Sequence, residues 1–125
     1  MTPFGARLRA MRQARGVTLS KMAADLGISA AYLSALEHGK RGRPSWHLVQ
    51  GVIAYFNVIW DEAEELARLA ELSHPRITVD TAGLSPEATE LANLLARDIS
   101  KLTREEAADL VQRLKRATGG EVPGG

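Results

Sequence analysis

The residues best suited by type and spacing to do chemistry are cations. Lys40, Arg41 and Arg43 fall in the run Gly39-Lys40-Arg41-Gly42-Arg43, which is too basic and Gly-rich to continue a helix and reads as a loop presenting positive charge. Arg7, Arg9, Arg12, Arg15 and Lys21 precede it, opposed only by Asp25 and Glu37, so residues 1–47 carry +6 while the rest carry −5 within an overall +1. A basic lobe beside an acidic one suits a protein that meets a polyanion with one end, although ordinary solvated faces give the same count. Thr18 and Ser29 each stand just before an apolar helical pattern, where a hydroxyl caps the helix and also faces outward toward any bound anion.

Other chemistries find little support. There is no cysteine, which excludes a disulfide framework or a cysteine zinc site, and the three His lack ligand-like spacing, so no metal is expected. Asp61, Glu62, Glu64 and Glu65 cluster at a helix start, where carboxylates complement the dipole. No Gly-rich phosphate loop and no Ser, His and Asp set are present, so neither an enzyme nor a cofactor is expected. Met1 is followed by a polar, Arg-bearing stretch and no apolar run approaches the roughly 18 residues that span a bilayer, so a cytoplasmic, nucleoid-associated protein without membrane contact is expected.

The elements that must position the cations read as all-α. Pro3 opens a first helix carrying Phe4, Leu8 and Met11, stopped at Gly16. A second runs from Leu19 to Leu26 and ends at Gly27, and a third from Ala30 to about His38, so two short helices meet across a tight Gly-containing turn. Pro44-Ser45 restarts helical pattern through Leu48, Val49, Val52, Ile53 and Phe56, with Asn57 as the stop. A fifth helix spans about Trp60 to Leu72, with Leu66, Leu69, Ala70 and Trp60 as its candidate inward positions. Arg76 to Thr81 alternates apolar and polar residues, a weak strand or an extended linker. Ser85-Pro86 then opens an amphipathic helix, and Thr103 with Glu106 forms a capping box for a last one, joined as an antiparallel hairpin. The expected organisation is a five-helix domain over 1–73, a linker or short strand over 74–84, a helical hairpin over 85–118 and a disordered tail over 119–125.

The run Arg15-Gly16-Val17-Thr18, Met22-Ala23, Leu26-Gly27-Ile28-Ser29, Tyr32-Leu33-Ser34, Leu36-Glu37, Gly39 and Pro44-Ser45 resembles the phage-repressor/Xre helix-turn-helix family over about residues 4 to 60. The resemblance implies a transcriptional regulator whose third helix lies in the major groove, with a dimer reading two half-sites of double-stranded DNA about one helical turn apart. It also implies an ion pair between Arg12 and Glu37 that belongs to the scaffold. Helix three is then left with Ala30, Ala31, Ser34, Ala35 and His38 opposite Leu33 and Leu36, with Tyr32 on a flank. Family members often carry base-bonding side chains there; alanine can only pack on a thymine methyl and bring the backbone close. Base readout is therefore expected to be sparse, with phosphate contacts assigned to Thr18, Ser29, Tyr32, Lys40, Arg41 and Arg43. Leu19 stands where the family often has a backbone-touching Gln. Arg15, Lys21, Trp46 and His47 are lesser candidates, Trp46 being equally suited to the core.

For the hairpin, the stripe Leu91, Leu94, Leu95, Ile99, Leu110, Val111 and Leu114 suits self-association into a homodimer, with Ile77 to Val79 as a possible intersubunit strand. The reading set below this one is that the hairpin folds back on helices four and five. The functional reading is a DNA-binding repressor on a palindromic operator. The alternative is an antitoxin or adaptor that binds DNA and, through the hairpin, a protein partner.

Overall fold

Capping chemistry decides where the helices begin. In the computed structural model, which describes residues 1–41 and 43–119, six hydroxyls sit in extended backbone ahead of a helix and accept an N–H from its first turn. Thr2 accepts from Gly5, Thr18 from Lys21, Ser29 from Tyr32, Ser45 from Leu48 and Ser85 from Ala88. The helices that follow are α1 (Pro3–Arg15), α2 (Leu19–Leu26), α3 (Ala30–Glu37), α4 (Trp46–Phe56) and α6 (Pro86–Asp98). Thr103 opens α7 (Arg104–Thr118) through a full capping box with Glu106, whose carboxyl sits below its usual range because the Thr103 N–H donates to it. Only α5 (Asp61–Glu71) lacks a side-chain cap. Among the described residues the fold is all-helical, with a short 3-10 turn at Ile99–Lys101 between α6 and α7.

The chain divides into two units, Met1–Ile77 and Thr78–Gly125. In the first, α1 to α5 close over Phe4, Leu8, Met22, Leu33, Val52 and Leu66, all essentially without solvent contact. Ser73 finishes that unit: its buried hydroxyl accepts the Phe4 N–H at 3.0 Å and donates to the Leu69 carbonyl, so the end of α5 satisfies an otherwise orphan donor of α1. Gly5 lets α1 and α3 touch. A Cβ on it would stand 2.2 Å from the Leu36 carbonyl oxygen, a contact no side chain can make.

Several details differ from the sequence reading. The third helix ends at Glu37, with His38 as its C-cap. Trp60 does not face inward: it is 82% exposed and precedes α5 with φ 54° and ψ −125°, which turns its side chain out of the unit. Trp46 is the first residue of α4 and 69% exposed, so it is not a core residue. Residues 76–81 form neither strand nor helix. Gly119 is the left-handed cap of α7 rather than the start of a tail, and residues 120–125 lie outside the described residues.

In the second unit, Thr89 donates to the Thr81 hydroxyl and holds the approach to α6. Neither α6 nor α7 has a single buried residue. The expected apolar stripe is exposed throughout, from Leu95 at 39% to Leu114 at 59%.

Candidate nucleic-acid interface

Gly27, at φ 73°, ends α2 in the left-handed conformation and reverses the chain within two residues, so that Ser29 can cap α3. Helix α3 then shows one side to the core and one to solvent. Leu33, Leu36 and Glu37 are buried, Ala31 and His38 are exposed, and Ser34 and Ala35 are half-buried at the edges of the open arc. Ala30 departs from its expected place. It packs against the core cluster, because at 100° per residue it falls within about 60° of both Leu33 and Glu37. The open face is therefore Ala31, Ser34, Ala35 and His38.

Glu37 is the one carboxylate of α3, and it is turned away from that face. Only 1% exposed, it receives Arg12 Nε at 2.7 Å and Nη2 at 3.0 Å in a bidentate pair. Arg12 Nη1 also donates to the Val17 carbonyl at 3.1 Å. One guanidinium thus ties α1, the α1–α2 loop and α3 together, and its hydrogen bond to Glu37 holds the Arg12 pKa above the ordinary value despite partial burial. The open side of α3 keeps no negative charge of its own.

Several of the groups expected to hold phosphate have donors to spare. The Thr18 and Ser29 oxygens accept one backbone N–H each, at 3.1 and 3.0 Å, which leaves each hydroxyl hydrogen free to point outward. The Arg41 guanidinium lies 5.6 Å over the Tyr32 ring, so the loop cation is stacked on the flank of α3. Lys40 is anchored by its backbone N–H to the Ala35 carbonyl at 2.9 Å, and its side chain is exposed. Arg43 stands at 4.0 Å from Glu71, the limit of ion-pair distance, with half its side chain in water. His38 Nδ1 lies 2.8 Å from the Ser34 carbonyl; since a carbonyl only accepts, that nitrogen carries the hydrogen and Nε2 is left for an outside partner.

The lesser candidates separate. Arg15 is scaffold: it donates to the Tyr55 and Phe56 carbonyls at 2.9 and 3.1 Å and stacks 4.9 Å over the Phe56 ring, closing the C-terminus of α4. Lys21 pairs at 3.3 Å with Asp25, which also accepts from the Tyr55 hydroxyl at 2.8 Å. Trp46 and His47, in edge-to-face contact at 5.4 Å, are exposed at the start of α4, just after the basic loop. Reading the sequence missed Gly5 and Ser73. A glycine inside a helix costs about 1 kcal/mol relative to alanine, which is a signal of close approach. A serine two residues after a helix carries no such signal.

Among the described residues no helix is long and apolar enough to cross a membrane, and no group of three or more His, Asp or Glu is set to hold a metal.

A family model described as a helix-turn-helix domain matches residues 3–66. An uncharacterised HTH-type transcriptional regulator, RghRB of Bacillus subtilis (strain 168), is 39% identical over 61 residues, covering 49% of this chain and 44% of that protein. The HTH-type transcriptional repressor RghR of the same organism is 48% identical over 44 residues, 35% of this chain and 33% of that protein. The chain thus spans less than half the length of these relatives. Among solved structures, a chain of a SinR protein/SinI protein complex is 22% identical, with 93% of this chain and 98% of that chain covered at a TM-score of 0.45. With more than half of its length matched and the capped α2–turn–α3 unit in place, the chain belongs to the helix-turn-helix domain family, and its resemblance to the phage-repressor/Xre regulators holds.

Proposed function

We propose that this protein is a sequence-specific DNA-binding transcriptional regulator, a repressor that lays α3 in the major groove. One observation carries the reading: the solvent face of α3 holds Ala31, Ser34, Ala35 and His38 with no carboxylate, while Lys40 and Arg41 follow directly on the helix, Arg41 stacked on Tyr32, and Glu37 is buried on Arg12. Short side chains let the helix backbone approach the base edges, and Ala31 and Ala35 pack on thymine methyl groups. Ser34 and His38 Nε2 are the polar readers. Thr18, Ser29, Tyr32, Lys40 and Arg41 hold phosphates, with Arg43 joining them when it leaves Glu71, so that DNA shape contributes through backbone contacts. The RghR relative, described as a repressor, supports repression as the sense of regulation.

A single unit of this kind makes too few contacts for useful specificity, so the protein acts as a homodimer on a palindromic operator, with half-sites about one helical turn apart. The exposed stripe Leu91, Leu94, Leu95, Ile99, Leu110, Val111 and Leu114 supports the second unit as the dimerisation element. The proposed site of action is the cytoplasmic nucleoid.

The experiment is selection of bound duplexes from a random pool, followed by fluorescence anisotropy on the enriched sequence across a salt series. Enrichment of a palindrome bound with a steep salt dependence is expected; no enrichment and no salt-sensitive binding would overturn the reading.

A further inference from the structure

His38 holds the middle of the open arc of α3. At about 100° per residue it falls about 20° from Ala31 and between Ser34 and Ala35. Its neighbours on that arc are two methyl groups and a hydroxymethyl group, so the imidazole reaches furthest from the helix. The Ser34 carbonyl fixes the ring: it accepts the His38 backbone N–H at 3.0 Å and lies 2.8 Å from His38 Nδ1, so both of its lone pairs are engaged by one residue. A bare ring nitrogen at that distance would set lone pair against lone pair, which places the ring hydrogen on Nδ1. In the neutral imidazole Nε2 is then an acceptor with no hydrogen to give. Such an atom has no use for a phosphate oxygen, for thymine O4, or for guanine O6 or N7, all of them acceptors. Among base edges in the major groove it matches the exocyclic amino group, N4 of cytosine or N6 of adenine.

We infer that His38 determines base specificity by accepting, through Nε2, a hydrogen bond from the exocyclic amino group of one cytosine or adenine in each half-site. The inference rests on the reading of α3 as the groove-facing helix, and adds the class of group that the helix recognises. Ala31 and Ala35 offer no hydrogen bond, and the Ser34 hydroxyl both gives and takes one. His38 is therefore the one residue on the arc whose hydrogen-bonding sense is fixed before DNA arrives. Because the ring is already held by Ser34, little ordering cost remains when the base meets it.

Two measurements on the full-length chain at pH 8 test this. The first needs no DNA. Nitrogen-15 spectra of the three His show one ring signal that is lost in His38→Ala, and its hydrogen is expected on Nδ1; a hydrogen on Nε2 overturns the inference. The second is fluorescence anisotropy on the enriched duplex carrying base analogues in one half-site. At one position, removing the amino group, with purine for adenine or 2-pyrimidinone for cytosine, weakens wild type about tenfold and leaves His38→Ala unaffected. The 7-deaza purines, which lack N7 and keep their amino groups, cause no loss that depends on His38. A loss at 7-deazaguanine that vanishes in His38→Ala would mean that the ring donates. Equal losses in wild type and His38→Ala at every amino group would mean that it reads none. Either result overturns the inference and, since wild type still binds, leaves the proposed function standing; a chain that binds no duplex removes both.

Discussion

Replacing Arg12 with alanine strands the most deeply buried charge among the described residues. Glu37 is 1% exposed and accepts two hydrogen bonds from Arg12, at 2.7 and 3.0 Å. Removing one partner of such a pair costs about 3–5 kcal/mol, and because the Arg12 side chain is 15% exposed, water admitted in its place sets the expected loss near the lower end, about 3 kcal/mol. That is a large share of the roughly 5–15 kcal/mol available to a domain, and for a unit of this size it lowers the melting temperature by roughly 12–24 °C. Hydrogen exchange localised to α3 amides, together with thermal melting, reads the effect where it arises. The control is Arg12→Met combined with Glu37→Leu: with both charges gone and the volume kept, the double variant loses less than Arg12→Ala alone. Two results would refute the reasoning. One is a loss below about 1 kcal/mol for Arg12→Ala, the range of surface pairs. The other is a double variant as damaged as the sum of its two singles, which would mean the groups are not coupled.

Gly5→Ala drives a methyl toward the Leu36 carbonyl oxygen, and the cost of overpacking, about 1–3 kcal/mol, exceeds the roughly 1 kcal/mol that alanine adds to a helix. Thermal melting should show a net loss; an equal or higher melting temperature contradicts the close approach of α1 and α3. The Tyr55–Asp25 hydrogen bond predicts a pH signature. The Tyr55 hydroxyl, and then Lys21, hold the Asp25 carboxyl below its usual range, so this contribution is present above the unfolded value of about 3.9 and is lost as pH falls through the folded value. The same bond raises the Tyr55 phenol, so its contribution is present below the unfolded value of about 10 and is lost as pH rises through the folded value. Denaturant titrations of wild type and Tyr55→Phe should differ by a constant amount between about pH 5 and 9 and converge beyond both ends; a gap independent of pH throughout contradicts the assignment.

What could be read from the sequence was local. Thr18, Ser29, Asn57 and the Thr103–Glu106 box announce helix ends because the capping group and the N–H or carbonyl it serves lie within a few residues of one another. The all-α class and the helix-turn-helix followed from those signals and the apolar spacing. Ala30 was misplaced because the core side of α3 was drawn from Leu33 and Leu36 alone, although Glu37, already expected to pair with Arg12, lies only about 20° from Ala30 around the helix. Trp60 was misplaced because a positive φ at a non-glycine residue has no sequence mark, and that φ aims the side chain. Arg15 had the composition of a phosphate contact, but the carbonyls of Tyr55 and Phe56, forty residues on, hold it.

In the proposed function the basic loop and the alanine-faced helix grip DNA mainly through phosphates, and the salt slope of binding measures that grip. With Lys40, Arg41 and Arg43 each neutralising one phosphate per protomer of a dimer, the logarithm of affinity should fall by roughly 5 per tenfold rise in salt, at about 0.9 for each phosphate. Arg41→Ala with Arg43→Ala should weaken binding to all sequences alike and flatten the slope to roughly 2. A slope unchanged in that double variant would mean that Arg41 and Arg43 do not hold phosphates.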